Sequence, residues 1–391
     1  MRKLVLDSGT NLLYTVSSSA HVCNPTVDKA RFTFFLFPCT AHVCNMPSAA
    51  RVSIKDIAKA AGVSHSTVSR ALSDSRLVKT ETKTRIQSLA REMGYSPDAW
   101  ARSLVMRQTR TVGLVVTTFA DPFIAEVVQG IESTAYEHGY TVILASSNSE
   151  PTRELAAVEM LRSKRVDGVI VTSSRVGALY QQHLERIGVP VVLLNSHSEQ
   201  SGRYTFSVTV DNQHGGYLAT QHLIELGHRR IAYVTGPADT SSSQGRLDGY
   251  RQALANAGIA FDPDLVVTGT GRAEAGEQAF LKLMALVERP SAVFCYNDVT
   301  AIGLLRAARE ANLFIPQDLS VVGFDDIPFA SCMYPSLTTI AQPKFEMGQQ
   351  ATQMALALMP AQNPSSAKVS DIVVKGQLVV RASSGPFAPR R

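Results

Sequence analysis

Cysteine is scarce and unevenly placed. Of five in 391 residues, Cys23, Cys39 and Cys44 fall in the first 45 positions and only Cys295 and Cys332 lie beyond. That distribution is no disulfide framework and fits a reducing, cytoplasmic compartment. No apolar run reaches about 18 residues, so no segment reads as a membrane-spanning helix. The signatures of common enzymes are missing: there is no G-x-S-x-G, no H-E-x-x-H and no Walker loop. "GTGRAEAG" contains G-x-G without the third glycine and follows a late strand, so it is a poor dinucleotide loop. Asp325 and Asp326 are neighbours at a strand end and point to opposite sides, which unsuits them as an acid/base pair. A non-enzyme with no cofactor is expected.

The first 45 residues repeat "AHVCN" at 20–24 and 41–45. A His-x-Cys pair without further ligands nearby does not make a tetrahedral site, and no metal is expected. "FTFFLFP" is short for a signal-peptide core and begins only at residue 32. The segment has neither helical nor strand period, and Met46 opens "MPSAARVSIKDIA" in the manner of a protein start. Residues 1–50 are therefore expected to be a disordered extension or a misassigned start.

Charge is present in the next stretch. Residues 51–110 hold twelve Lys/Arg against five Asp/Glu, a net +7, whereas 111–391 carry a net −4. A small basic head before a larger, slightly acidic body favours a polyanion as partner.

The head has its own punctuation. Ser53 and Asp56 form an S-x-x-D pair before "IKDIAKAAG", where Ile54, Ile57, Ala58 and Ala61 recur at helical spacing. Gly62 suits a left-handed stop. Ser64 caps a second helix with Val68, Ala71 and Leu72 inward, and Thr80 is expected to cap a third that ends at Gly94 before Pro97. Two short helices joined by Gly-Val-Ser are a helix-turn-helix pattern over 51–97. His65, Ser66, Thr67, Ser69 and Arg70 then share the outward face of the second helix. Short hydroxyls reach phosphates and base edges, and arginine reads guanine with two hydrogen bonds. Ser53, at the entry of the first helix, joins this DNA-contacting set. After Pro97, Asp98 caps a short helix to about Met106 that places Trp100 and Leu104 on one face. It is too short to be stable alone, so 98–110 reads as a hinge and linker.

"VSIKDIAKAAGVSHSTVSRAL" and "GYSPDAWARSL" resemble, nearly without gaps, the N-terminal part of the lac-repressor-type (LacI/GalR) family. The resemblance implies that the second helix enters the major groove, and that paired hinge helices of two subunits push a leucine into the minor groove and kink the DNA. The matching positions are His65, Ser66 and Arg70 for bases and Leu104 for the wedge. Trp100 departs from the smaller residue usual in that family.

From Thr111 onward apolar runs such as "TVGLVV", "TVILAS", "VDGVIVTS" and "VPVVLLN" alternate with helical stretches, and a second such series begins near Asp211. Val/Ile/Leu-rich strands alternating with helices imply parallel sheets covered on both faces. The expected fold is an α/β body of two parallel-sheet subdomains preceded by an all-α head, with a ligand cleft at the carboxyl ends of the strands. The body, 111–391, resembles the periplasmic-binding-protein-like effector domain of the same family. "TTIAQP" and "DIVVKGQLVV" read as returns between subdomains, which divides the body into 111–210 plus 342–370 and 211–341 plus 371–391.

Polar residues at strand ends are the cleft candidates: Asp121 and Phe123, Asp211 at the crossover, Ser242 and Arg246, Asn297, Asp325 and Gln342. Carboxylates and amides with one arginine suit a sugar-like ligand, or an anionic metabolite paired with Arg246. Position by position they resemble the family's effector-contacting positions. Sugar-binding members often offer an aromatic platform from the loop that reads "TGTGRAEAG" here; Gly271 and Arg272 stand there instead. The reading is a cytoplasmic, nucleoid-associated regulator, most simply a repressor, that binds a pseudopalindromic operator as a homodimer. "SSGPFAPRR" has no leucine heptads for a helical tetramer tail. The alternative on the same body fold is a solute-binding protein of a transport system, which would carry an export signal and no helix-turn-helix.

Overall fold

The computed structural model describes residues 52–95, 108–174, 189–196, 205–359 and 370–388. Residues 1–50, the segment 98–106 where a helix with Trp100 and Leu104 is expected, and residues 175–188 lie outside the described residues. The head (to Ser96) and the body (from Pro97) are separate compact units.

In the head, α1 (Ile54–Ala61), α2 (His65–Leu72) and α3 (Thr80–Glu92) pack around Ile57, Val68, Ala71 and Ile86, each with no solvent exposure. The Asp56 carboxylate takes both the backbone N–H (2.8 Å) and the hydroxyl (2.7 Å) of Ser53, which fixes the start of α1. Gly62 ends it at φ +64°; a Cβ there would meet nothing within 4 Å, so the backbone conformation and not space calls for glycine. Ser64 caps α2 by accepting the Thr67 N–H at 3.1 Å. The third cap differs from expectation: Thr80 is the first helical residue, and Lys79 sits at the cap position with no side-chain bond. A lysine has no acceptor to offer there.

The body contains two parallel sheets. The first has the order β11-β5-β4-β3-β1-β2, built from β1 (Thr111–Val116), β2 (Thr141–Ser146), β3 (Gly168–Thr172), β4 (Val191–Leu194), β5 (Thr205–Val210) and β11 (Ile372–Val374). The second has the order β7-β6-β8-β9, from β6 (Ile231–Val234), β7 (Val266–Val267), β8 (Ala292–Cys295) and β9 (Ser320–Val322). Strands β3, β4, β6, β8 and β9 are buried at every residue, as strands covered on both faces must be. Helices α4 (Pro122–Glu137) and α5 (Pro151–Ser163) belong to the first lobe, and α6 (Asn212–Glu225), α7 (Ser241–Asn256), α8 (Ala273–Met284) and α9 (Asp298–Glu310) to the second. A single turn, α10 (Pro328–Cys332), precedes β10 (Thr339–Ala341). The chain then returns to the first lobe as α11 (Lys344–Leu358), which packs on α4.

The chain thus crosses between the lobes after β5, after β10 and after β11. The last crossing comes later than expected. Ile372–Val374 still pairs with Val208–Val210 of the first sheet, and only from β12 (Gln377–Val379), antiparallel to β10, does the tail join the second lobe. There the Val321 N–H donates to the Ser383 carbonyl (2.7 Å) and the Phe387 N–H to the Leu226 carbonyl (2.8 Å). The break within "DIVVKGQLVV" falls at Gly376, which no apolar pattern marks.

One buried carboxylate braces the second lobe. Asp298, unexposed at the start of α9, accepts the Thr339 hydroxyl at 2.5 Å and the Ile327 N–H at 2.9 Å, so it ties α9 to β10 and to the segment after β9. Burial pushes its pKa up to about 6, against the lowering effect of those two bonds. The protonated form is therefore favoured by folding, and this contribution is complete at low pH and lost as pH rises through about 6. Unfolding free energy should accordingly gain on the order of 1 kcal/mol from this group between about pH 7 and about pH 5, a gain missing from Asp298→Asn. Denaturant titrations of the two proteins across that range check it; equal pH dependence in both would contradict it.

Candidate functional site

Two surfaces carry chemistry. The first is the outer face of α2. His65, Ser66, Ser69 and Arg70 are exposed. Arg70 and His65 make no side-chain hydrogen bond or ion pair within the described residues, so both point into solvent ready for a partner. Thr67 differs: it is half-buried and its hydroxyl bonds to Ser64 Oγ at 2.8 Å, which places it in the cap more than on the exposed face. Ser66 Oγ shares the same Ser64 oxygen at 2.8 Å. The Ser53 hydroxyl is donated to Asp56 but its oxygen stays exposed. Sequence reasoning passed over Leu77, which is 80% exposed between α2 and α3 with Arg76 and Lys79 exposed beside it. A large apolar side chain standing in water in a basic loop was the available signal.

The second surface is a cleft of about 720 Å³ between the carboxyl ends of the two sheets. Asp121, Phe123, Ser242, Arg246, Asn297 and Asp325 line it. Asp211 and Gln342 do not. Asp211 caps α6 by accepting the His214 N–H at 2.9 Å. Gln342 is buried behind the cleft floor, where its side-chain amide donates to Asp325 Oδ1 at 2.6 Å. A polar residue after a strand can serve a ligand or a helix, and the sequence does not distinguish the two. Ser173 after β3 and Asn195 with Ser196 after β4 complete the first-lobe wall and went unnoticed, although each directly follows an apolar run.

Arg246 organises the floor. It is 3% exposed on α7. Nε donates to Asn212 Oδ1 at 2.9 Å, Nη1 donates to the Tyr296 carbonyl, and Nη2 lies 3.8 Å from Asp325 Oδ1. Its guanidinium carbon sits 3.6 Å from the Phe324 ring centroid and 4.5 Å from that of Tyr296. The guanidinium is thus largely committed to the protein, which weakens the expectation that it pairs with an anionic ligand. Burial raises the pKa of Asp325 well above the usual carboxylate range; Arg246 pulls it down, and Asp298 and Asp121 push it up. Burial also raises Asp121, whose Oδ1 accepts the Phe123 N–H at 3.0 Å as the cap of α4.

An aromatic side chain does line the cleft, from another place than the 270 loop. Tyr296 lines the cleft, with Ser242 Oγ 2.9 Å from its hydroxyl. A Cβ on Gly236 would stand 2.5 Å from the ring, so glycine there is what lets the ring lie flat against the backbone. Asn297 caps α9 through the Thr300 N–H (2.9 Å) and hydroxyl (2.7 Å), and its amide donates to the Gly271 carbonyl at 3.0 Å. It shapes the wall with few bonding valences to spare. Asp326 turns away from Asp325 to meet Arg381 at 2.7 Å, so the two carboxylates do not converge. No cluster of three or more metal-ligating side chains occurs among the described residues.

Known proteins resemble both units. The family described as bacterial regulatory proteins, lacI family, matches residues 53–98, and the periplasmic binding protein-like domain matches 220–384. The HTH-type transcriptional repressor PurR of Edwardsiella ictaluri is 38% identical over 342 residues, 87% of this chain and 99% of the relative. That of Proteus mirabilis is 37% identical over 346 residues, with the same coverage. Among solved structures, the lac repressor dimer bound to operator and the anti-inducer ONPF superposes with a TM-score of 0.77 at 28% identity, over 86% of this chain and 99% of that one. A transcriptional regulator CelR–cellobiose complex gives 0.65 at 32%, over 85% and 100%. The chain belongs to the lacI family of bacterial regulatory proteins and is a DNA-binding transcriptional regulator, not an enzyme.

Proposed function

We propose that the chain represses transcription as a homodimer that reads a pseudopalindromic operator through α2, and that a small neutral polyhydroxylated ligand, a sugar or polyol, sets its DNA affinity from the cleft. The observation that carries the ligand class is the state of Arg246. Among the described lining residues the one buried guanidinium is held by Asn212, the Tyr296 carbonyl and Asp325, so none of them offers a deep unpaired cation to an anion. The lining holds the carboxylates Asp121, Asp239 and Asp325 against Arg246 and Arg272, a balance that disfavours phosphates and carboxylates. Hydroxyls such as Ser173, Ser196 and Ser242 with the ring of Tyr296 suit a ligand rich in alternating donors and acceptors. The CelR structure holds a sugar of this class.

Asp121, Phe123, Ser242, Arg246, Asn297 and Asp325 are the proposed ligand contacts, with Asp211 and Gln342 in supporting positions. His65, Ser66, Ser69 and Arg70 are the proposed base and phosphate contacts, with Ser53 and Thr67 beside them. The hinge 98–110, with Leu104 as wedge, links them: ligand binding shifts lobe closure, and closure orders or releases the hinge helices of the two subunits. Such a regulator acts in the cytoplasm, where its DNA is.

Two outcomes follow. Arg70→Ala should weaken binding to the selected palindrome by about 1–3 kcal/mol, roughly 5- to 150-fold, and binding to a random duplex far less. Equal losses on both would remove Arg70 from base reading. In a thermal-shift screen of neutral sugars and polyols against sugar phosphates and uronic acids, the stabilising ligands should be neutral. Arg272→Ala should change their affinity by less than about twofold, since a mouth-exposed cation contributes little to a neutral ligand. Stabilisation by anions alone, lost in Arg272→Ala, would overturn the assignment.

A further inference from the structure

The first residue of α11 is a lysine, and it is only 5% exposed. A buried ammonium must find acceptors for its three N–H groups. Lys344 Nζ donates to the carbonyl of Asp325 at 2.8 Å and to that of Asp326 at 2.7 Å, and lies 3.4 Å from Glu126 Oε1. The two carbonyls belong to the second lobe, beyond β9. Glu126 belongs to α4 of the first lobe. One side chain therefore joins the lobes at the cleft floor.

The carbonyls face Lys344 because of an unusual backbone. Asp325 has φ +117° and Asp326 φ +53°, two consecutive non-glycine residues in the region that favours glycine. Such residues persist only where their surroundings over-determine them. Here a single ammonium takes both carbonyls, and the turn it holds aims the Asp325 carboxylate into the cleft toward Arg246 and the Gln342 amide. The Asp326 carboxylate is meanwhile anchored by Arg381. At the other end of the same ammonium, Glu126 lies five residues after Asp121, which caps the same helix and lines the opposite wall. Movement of either wall alters the distance between acceptors that Lys344 holds together.

We infer that Lys344 is a positioning residue: it holds the Asp325–Asp326 turn in its ligand-ready form and couples that turn to α4, so that occupation of the cleft in the second lobe is felt in the first. The inference rests on the reading of the cleft as the regulatory site. Its test does not need the ligand.

Amide hydrogen exchange on the full, ligand-free chain compares the wild type with Lys344→Met, Lys344→Arg and Glu126→Gln. Lys344→Met keeps the stem and removes the donors. Exchange should rise about tenfold or more in 323–327 and also in 122–128, with β8 and α9 unchanged; Lys344→Arg should restore part of the protection. Glu126→Gln leaves the carbonyl bonds in place, so it folds even if Lys344→Met does not, and it should raise exchange in 323–327, on the other lobe, about threefold. A uniform rise across the body, a rise confined to one lobe, or no response of 323–327 to Glu126→Gln would each overturn the coupling. None of those results would bear on whether a neutral ligand occupies the cleft, which the thermal-shift screen decides separately.

Discussion

A carboxylate buried where the chain passes between two lobes has to be neutralised, and the body is arranged around that requirement. Asp325 lies just beyond β9 at the cleft floor. Arg246 approaches from α7, Gln342 from the crossing after β10, and Lys344 holds the backbone behind it. Each comes from a different element, so the Asp325 turn is held as it is only when α7, the crossing and α11 are assembled. Removing one partner of such a set leaves an uncompensated charge in a dry place and costs far more than a surface pair.

The cleft takes its character from that floor. The arginine that could have received an anion is drawn inward, and the acidic groups that remain are pushed toward their neutral forms by burial. What is left facing the cavity is a wall of hydroxyls with an aromatic ring laid against glycine. On the proposed reading, such a surface selects by hydrogen-bond pattern more than by charge. The head works by the opposite physics. The exposed face of α2 keeps Arg70 and His65 without side-chain partners among the described residues, and the head is basic where the body is slightly acidic. A protein that must respond to a small ligand and hold a polyanion keeps the two tasks in separate units.

Much of this was legible in the sequence where local rules decide. Gly62 and Ser64 marked the turn between α1 and α2 because a left-handed stop and an N-cap each demand particular residue types. The apolar runs from Thr111 onward announced buried parallel strands because no polar face is needed there. The failures came where one residue type serves two ends. Asp211 and Asp121 both follow strands and both cap helices, yet only Asp121 also faces the cleft. The last crossing was placed at 371 because "IVV" and "QLV" read as one strand, while the pairing assigns them to different sheets. Lys344 drew no notice, since a lysine at a helix start reads as surface until its three acceptors are seen to come from distant segments.

Regulation by the cleft requires linkage between ligand and operator binding. Ligand affinity should be measured by calorimetry on the full chain, alone and saturated with its operator duplex, and operator affinity measured with and without saturating ligand. Coupling through two states of the body requires both affinities to change by the same factor, on the order of 5- to 150-fold. A ligand that binds the free and the operator-bound protein equally well, however tightly, would contradict a regulatory cleft.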